Sequence, residues 1–146
     1  MRLVLDEAAT VDEAVAIFRR TAIDFSGGPP LHYMVADAGG DSAVVEYVDG
    51  RVVAIPRGEQ PYQAMTNFVL TGDAPDDDRY RTAIGTLRRS GGRLAPASTL
   101  DLLARVAQPH TRWSVAYDLR ARTAHVVMGQ KYGGRVLKFS VAGGSS

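Results

Sequence analysis

Apolar residues at helical spacing are the first clear pattern in this chain. Val11, Val15 and Phe18, with Ala14 and Ala22, recur on one face and predict a helix over about Val11–Ile23. Thr10 stands three residues before Glu13, the arrangement of a capping box in which each side chain satisfies a backbone N–H at the helix start. Asp12 and Glu13 in the first turn and Arg19-Arg20 in the last suit the helix dipole. Gly27-Gly28-Pro29-Pro30 then breaks the pattern.

A change to short apolar runs follows. Leu31–Ala36 reads as a strand, the turn-rich Asp37–Asp41 as a connection, and Ala43–Val48 as a second strand. Asp49-Gly50 is a two-residue hairpin signal, and Arg51–Ile55 is the returning strand. Pro56-Arg57-Gly58 and Pro61 make a loop, Gln63–Leu70 reads as a further strand, and Thr71–Pro75 as loop. Helical spacing returns with Tyr80, Ile84 and Leu87, predicting a helix over about Asp78–Arg89 that Gly91-Gly92 stops. A further helix is expected over Thr99–Ala107, capped by Ser98 and followed by Pro109. Three strands close the chain: Arg112–Tyr117, Thr123–Met128 beyond a turn, and Arg135–Val141, where Leu137, Phe139 and Val141 alternate with Val136, Lys138 and Ser140. The order of helix, hairpins, helices and strands predicts an α+β fold with antiparallel sheet packed by helices. With no repeat and no long linker, residues 1–142 are expected to form a single domain and 143–146 a flexible tail.

Composition narrows the functions open to such a domain. Of the 146 residues 45% are hydrophobic and 23% charged, a balance that supports a real core. A net charge of +1 argues against nucleic acid or an anionic membrane as partner. No window is apolar for the roughly 18 residues a membrane helix needs. Met1–Glu7 lacks the apolar run of a signal peptide, so a cytoplasmic location is the expectation. The absence of cysteine excludes disulfides, zinc–thiolate sites and a cysteine nucleophile within this chain.

Several residues with chemical potential lack a supporting pattern. His32, His110 and His125 are scattered, with no spacing that sets two on one face, so no metal site and no cofactor are expected. Asp76-Asp77-Asp78 is accounted for by the helix start it precedes. Gly39-Gly40 and Gly133-Gly134 read as turns rather than phosphate loops. Ser90, Ser98 and Ser114 lack the setting of an esterase nucleophile. Trp113, in an alternating strand, is expected in the core.

Four stretches, in order, carry a more specific signal. They are Leu5-Asp6 with Thr10-Val11-Asp12-Glu13-Ala14; His32–Asp37 with Gly40-Asp41-Ser42-Ala43-Val44-Val45-Glu46-Tyr47; Met65-Thr66-Asn67; and Trp113–Asp118. Together they resemble the second half of the linear amide C–N hydrolases, the choloylglycine hydrolase and acyltransferase group of N-terminal-nucleophile hydrolases. That resemblance implies part of a sandwich of two antiparallel sheets between helices. It also implies cleavage of a small linear amide by an N-terminal cysteine whose acyl-enzyme is resolved by water or an amine. In that scheme Asn67 donates its side-chain N–H to the oxyanion, and Arg79, opening the helix after the Thr-Asn motif, organises the active site. Read from the residues alone, Asn67 is first a polar residue at a strand end that satisfies local backbone, and Arg79 first a helix charge paired with Asp76, Asp77 or Asp78. The proline that often follows Thr-Asn in the family is replaced by Phe68-Val69-Leu70, which leans away from the bile-salt-hydrolase branch.

Neither Met1 nor Arg2 is a usable nucleophile. The resemblance therefore implies a partner segment or separate chain that carries the cysteine. The alternative is a non-catalytic binding or oligomerisation module, a homo-oligomer pairing through an apolar sheet face.

Overall fold

The computed structural model describes residues 1–23, 25, 31–72 and 76–141. The expected Gly27–Pro30 break, part of the Thr71–Pro75 loop and the 143–146 tail lie outside the described residues. The fold is α+β, with four helices and two three-stranded antiparallel sheets among the described residues. The chain forms two compact units, Met1–Asp76 and Asp77–Ser146.

The first unit begins with a short helix, α1 (Arg2–Glu7), which the sequence pattern did not disclose. It has no side-chain cap, and Val4 is its buried residue. Six residues cannot sustain a helix in water, so packing against the next helix accounts for it. That helix, α2 (Val11–Arg20), starts at Thr10 with the expected capping box: Glu13 N–H donates to Thr10 Oγ1 at 3.3 Å, and Thr10 N–H donates to Glu13 Oε2 at 3.1 Å. It ends at Arg20, three residues before the expected end. Ala9 N–H also donates to Glu13, and these donors hold the Glu13 carboxyl below its ordinary range. Thr10→Ala is expected to lower stability by about 1 kcal/mol, read as a shift in the urea midpoint at unchanged slope.

Strands β1 (Tyr33–Ala36), β2 (Ser42–Val48) and β3 (Arg51–Pro56) form one antiparallel sheet in chain order. Asp49 and Gly50 both have positive φ, at 49° and 73°, as a twisted two-residue hairpin turn requires. Val35, Ala43 and Val45 face α2 and join Val11, Ala14, Val15, Ile17 and Phe18 in the core. Phe18 stacks on Tyr33 with ring centroids 5.2 Å apart. Asp37 ties this layer together: its carboxylate accepts from Val11 N–H at the start of α2 and from Gly40 and Asp41 N–H in the β1–β2 turn. The Val11 N–H, first among these, holds the Asp37 carboxyl below its usual range.

The opposite sheet face carries Val44 and Glu46, both fully buried. Residues 63–71 lie against it, but not as the expected strand: Gln63–Leu70 is irregular. Side chains tether it instead of a ladder. Gln63 accepts from Ser42 Oγ at 2.8 Å and donates to Ile55 O at 2.9 Å, while Glu46 takes the N–H groups of Leu70 and Thr71. Those two N–H groups thus end on a carboxylate rather than on a neighbouring strand.

The second unit opens with α3 (Asp78–Arg89), bounded as its spacing predicts and capped by Asp77, whose carboxylate accepts from Tyr80 N–H at 2.9 Å. Gly92 N–H returns to Leu87 O, and Gly91 and Gly92 take positive φ at its end. The next helix, α4 (Pro96–Arg105), begins three residues before the expected Thr99. Pro96 at the first helical position explains this, because its missing N–H would have no helical partner there and its φ is already set. Ser98 therefore lies within the first turn and is not the cap.

Strands β4 (Trp113–Asp118), β5 (Thr123–Met128) and β6 (Leu137–Ser140) form the second antiparallel sheet. Asp118 accepts from Ala121 N–H at 2.8 Å in the β4–β5 turn. β6 is shorter than the expected Arg135–Val141. Ala116 and Val127 pack with Leu100 of α4, which places the small core of this unit on one face of the sheet. Trp113 is on the other face and is exposed, not in the core as its strand position suggested.

Candidate functional site

The chemistry expected from the Thr-Asn motif begins with Glu46, an acid in the middle of a strand. Its neighbours Val44, Val45, Tyr47 and Val48 are apolar, and strand alternation sets it on the same face as Val44. An ionised carboxylate so buried is tolerated only where donors surround it. They do: Thr71 N–H at 3.0 Å, Thr71 Oγ1–H at 2.7 Å, and the Leu70 N–H. His32 Nδ1 stands 3.6 Å from Glu46 Oε1, and its side chain is largely buried. Burial alone would raise the Glu46 carboxyl, but donation from Thr71 and Leu70, with His32 beside it, outweighs burial and holds it below the ordinary 4.5.

The effect is local and mechanical. Glu46 in β2 pins residues 70–71, and Gln63 pins the other end of the same segment to Ser42 and Ile55. Between these two anchors lie Thr66, half-buried, and Asn67, exposed at a bend. Asn67 is therefore presented at the surface of a segment fixed at both ends. Two clefts of this unit lie elsewhere, one between the end of α2 and the Gly50–Val52 turn and one between Thr10–Asp12 and Arg57; Asn67 lines neither.

Arg79 belongs to the second unit, on the first turn of α3. Its guanidinium lies 3.4 Å from Asp77 Oδ2, and the side chain is about three-quarters buried. With its amide assigned in the orientation that gives both ends partners, Gln108, beyond α4, sets its oxygen 3.0 Å from Arg79 Nη1 and 3.3 Å from Nε, and its nitrogen donates to His110 Nε2 at 3.0 Å. Arg79 is thus held by a carboxylate and an amide in a small polar cluster, and His110 is the last member of that chain. Arg81, by contrast, is an exposed partner of Asp78.

Asn67 lies in the first unit and Arg79 in the second. Glu46 was legible in the sequence as part of a motif, but not as a functional group. The signal available was an acid at an inward position of a strand otherwise apolar on both faces. Asp37 and Ser42, from the same motif, serve the unit's internal bonding, and His32 stands beside Glu46. Among the described residues no group of three or more His, Cys, Asp or Glu could hold a metal, and no helix is long and apolar enough to cross a membrane.

Part of this chain is similar to a penicillin V acylase. The protein is from Pectobacterium atrosepticum, and the likeness is 39% identity over 72 residues, 44% of this chain. The match spans 19% of the acylase's length. No family model matches the chain, and no solved structure gives a significant match. The similarity relates this chain to an acylase over that stretch.

Proposed function

We propose that this chain is the part of an amide hydrolase or N-acyltransferase that supplies the oxyanion donor, acting on linear amide C–N bonds with a cysteine carried by another polypeptide segment. Asn67 donates its side-chain N–H to the tetrahedral intermediate, and Arg79 organises the site through its fork of donors. The observation that carries the reading is the fixing of the Thr66-Asn67 segment at both ends, by Gln63 and by the buried Glu46. A donor that stabilises a transition state must already be in place, since any reorganisation would subtract from its effect. The partial similarity to a penicillin V acylase supports the same reading.

The test is to express the chain with any coding sequence that is in frame upstream of Met1, and separately by itself. Penicillin V and simple N-acyl amides are the substrates. Turnover is expected only where a cysteine is supplied, and it should be abolished when that cysteine is replaced by alanine. Amide cleavage by the isolated chain would remove the need for a partner segment. Its absence in a cysteine-containing form that folds would count against the reading.

A further inference from the structure

Charge is divided unevenly along this chain. Met1–Asp76 carries twelve acids and five cations, a balance of −7, while Asp77–Ser146 carries twelve cations and four acids, a balance of +8. The two nearly cancel, so the whole-chain charge of +1 conceals both. In the second unit eleven of the twelve cations are exposed, all but Arg79. A field of one sign on this scale raises the local concentration of anions.

Within that field two arginines from different helices meet. Thr86, on α3, donates its hydroxyl proton to Thr82 O at 2.8 Å, which leaves its oxygen to accept. Arg105, at the end of α4, donates to that oxygen from Nη2 at 2.9 Å. Arg89, at the end of α3, approaches the same oxygen from Nη2 at 3.4 Å. Its guanidinium lies back over Gly85, where a Cβ would stand 3.5 Å from Nη1. The two Nη2 atoms are therefore no further apart than those two bonds laid end to end. Asp101 stands one turn before Arg105 on α4, yet Arg105 turns to Thr86. Among the described residues no carboxylate pairs with Arg88, Arg89, Arg93 or Arg105.

A neutral hydroxyl cancels none of this charge, so the two guanidinium groups repel each other. An anion seated beside both replaces that repulsion with two attractions. Each guanidinium gives one of its N–H donors to Thr86, and the others remain for a ligand. A carboxylate, with a single charge and two oxygens, is satisfied by one arginine. A phosphoryl dianion has three terminal oxygens and suits two. We infer that Arg89 and Arg105 form a binding site for the phosphoryl group of a soluble phosphate monoester, on the α3–α4 surface of the second unit. One pair of guanidinium groups matches one phosphoryl group. A nucleic acid or a membrane would instead engage the exposed cations of the sheet turns and connections as well. Neither Asn67 nor Arg79 belongs to this site, so it stands or falls separately from the amide-hydrolase reading.

The test follows the amide chemical shifts of the intact chain by NMR as sodium phosphate is added, against sodium chloride at equal ionic strength. Phosphate is expected to shift amides of α3 and α4 to saturation, and chloride to leave them in place. Glycerol 3-phosphate is expected to bind at least as tightly as inorganic phosphate. Arg89→Gln and Arg105→Gln should each weaken binding of both probes about tenfold. Arg120→Gln, in the β4–β5 turn, removes the same charge from the same unit and should change binding by less than about twofold. Dispersion of the amide spectrum checks that each variant is folded. Shifts that match those of chloride, or that spread over all the exposed cations, would overturn the inference. So would equal losses in Arg120→Gln and Arg89→Gln, because the field of the whole unit would then account for the binding. Association with vesicles of phosphatidylcholine and phosphatidic acid, without a response to either soluble probe, would overturn it in favour of a membrane surface.

Discussion

Glu46→Ala is expected to lower the stability of the first unit by about 2–4 kcal/mol. The carboxylate is fully buried and takes two backbone N–H groups and one hydroxyl from Leu70 and Thr71. Truncation strands those donors, at about 1–3 kcal/mol for each that remains buried, and leaves His32 facing an empty position. Thr71 is near the surface, so water relieves part of the loss, which keeps the expectation below the full sum. Urea unfolding read by far-UV circular dichroism gives the value, and a loss under about 0.5 kcal/mol would show that the anchor is dispensable. The acid side supplies an independent check. Glu46 has a folded-state pKa below its ordinary value of 4.5. Its contribution is therefore fully present above the unfolded value and is lost as pH falls below 4.5 toward the depressed folded value. Glu46→Gln keeps one acceptor oxygen but cannot titrate. It is expected to flatten that part of the stability–pH curve while costing less than alanine at neutral pH.

Where local chemistry and tertiary packing agree, the elements could be read directly. The Thr10–Glu13 box and the apolar stripe of α2 are one example, the Asp49-Gly50 hairpin and the Asp78–Arg89 helix two more. Each is specified by residues within a few positions of itself. The larger failures involve partners distant in sequence. α1 exists because Val4 is buried in the core with residues of α2 and the sheet, a gain its own six residues do not announce. Residues 63–70 have strand-like composition, yet the segment is tethered by the Gln63 side chain on Ile55 O at one end and by the Glu46 carboxylate on Leu70 N–H at the other, a solution periodicity does not encode. Trp113 alternates as an inward residue would, but strand alternation distinguishes two faces without saying which of them is covered. The site divides in the same way. Asn67 and Arg79 came from motif order, whereas the group that fixes the Asn67 segment is an acid whose role appears only when its donors, 24 and 25 residues away, are in place.

That separation between presenting a group and using it makes Asn67→Ala the sharper experiment. Asn67 is exposed and outside regular structure, so its truncation is expected to change stability by no more than about 0.5 kcal/mol. Under the proposed reading, the same substitution in a cysteine-containing form of the protein is expected to lower kcat by about 10²–10³, equivalent to about 2.7–4 kcal/mol, with KM little changed. The contrast arises because an oxyanion donor bonds the tetrahedral intermediate more strongly than the planar amide that precedes it. Glu46→Gln provides the complementary case: it perturbs the anchor without removing the donor. It is expected to lower kcat less than Asn67→Ala does and to show little further effect when added to it, since both act through one amide group. Steady-state kinetics on the two single variants and the double variant measure this directly. Near-normal kcat in Asn67→Ala would remove the oxyanion assignment even with the Glu46 anchor intact, and additive losses would separate Glu46 from the chemistry and leave it a purely structural acid.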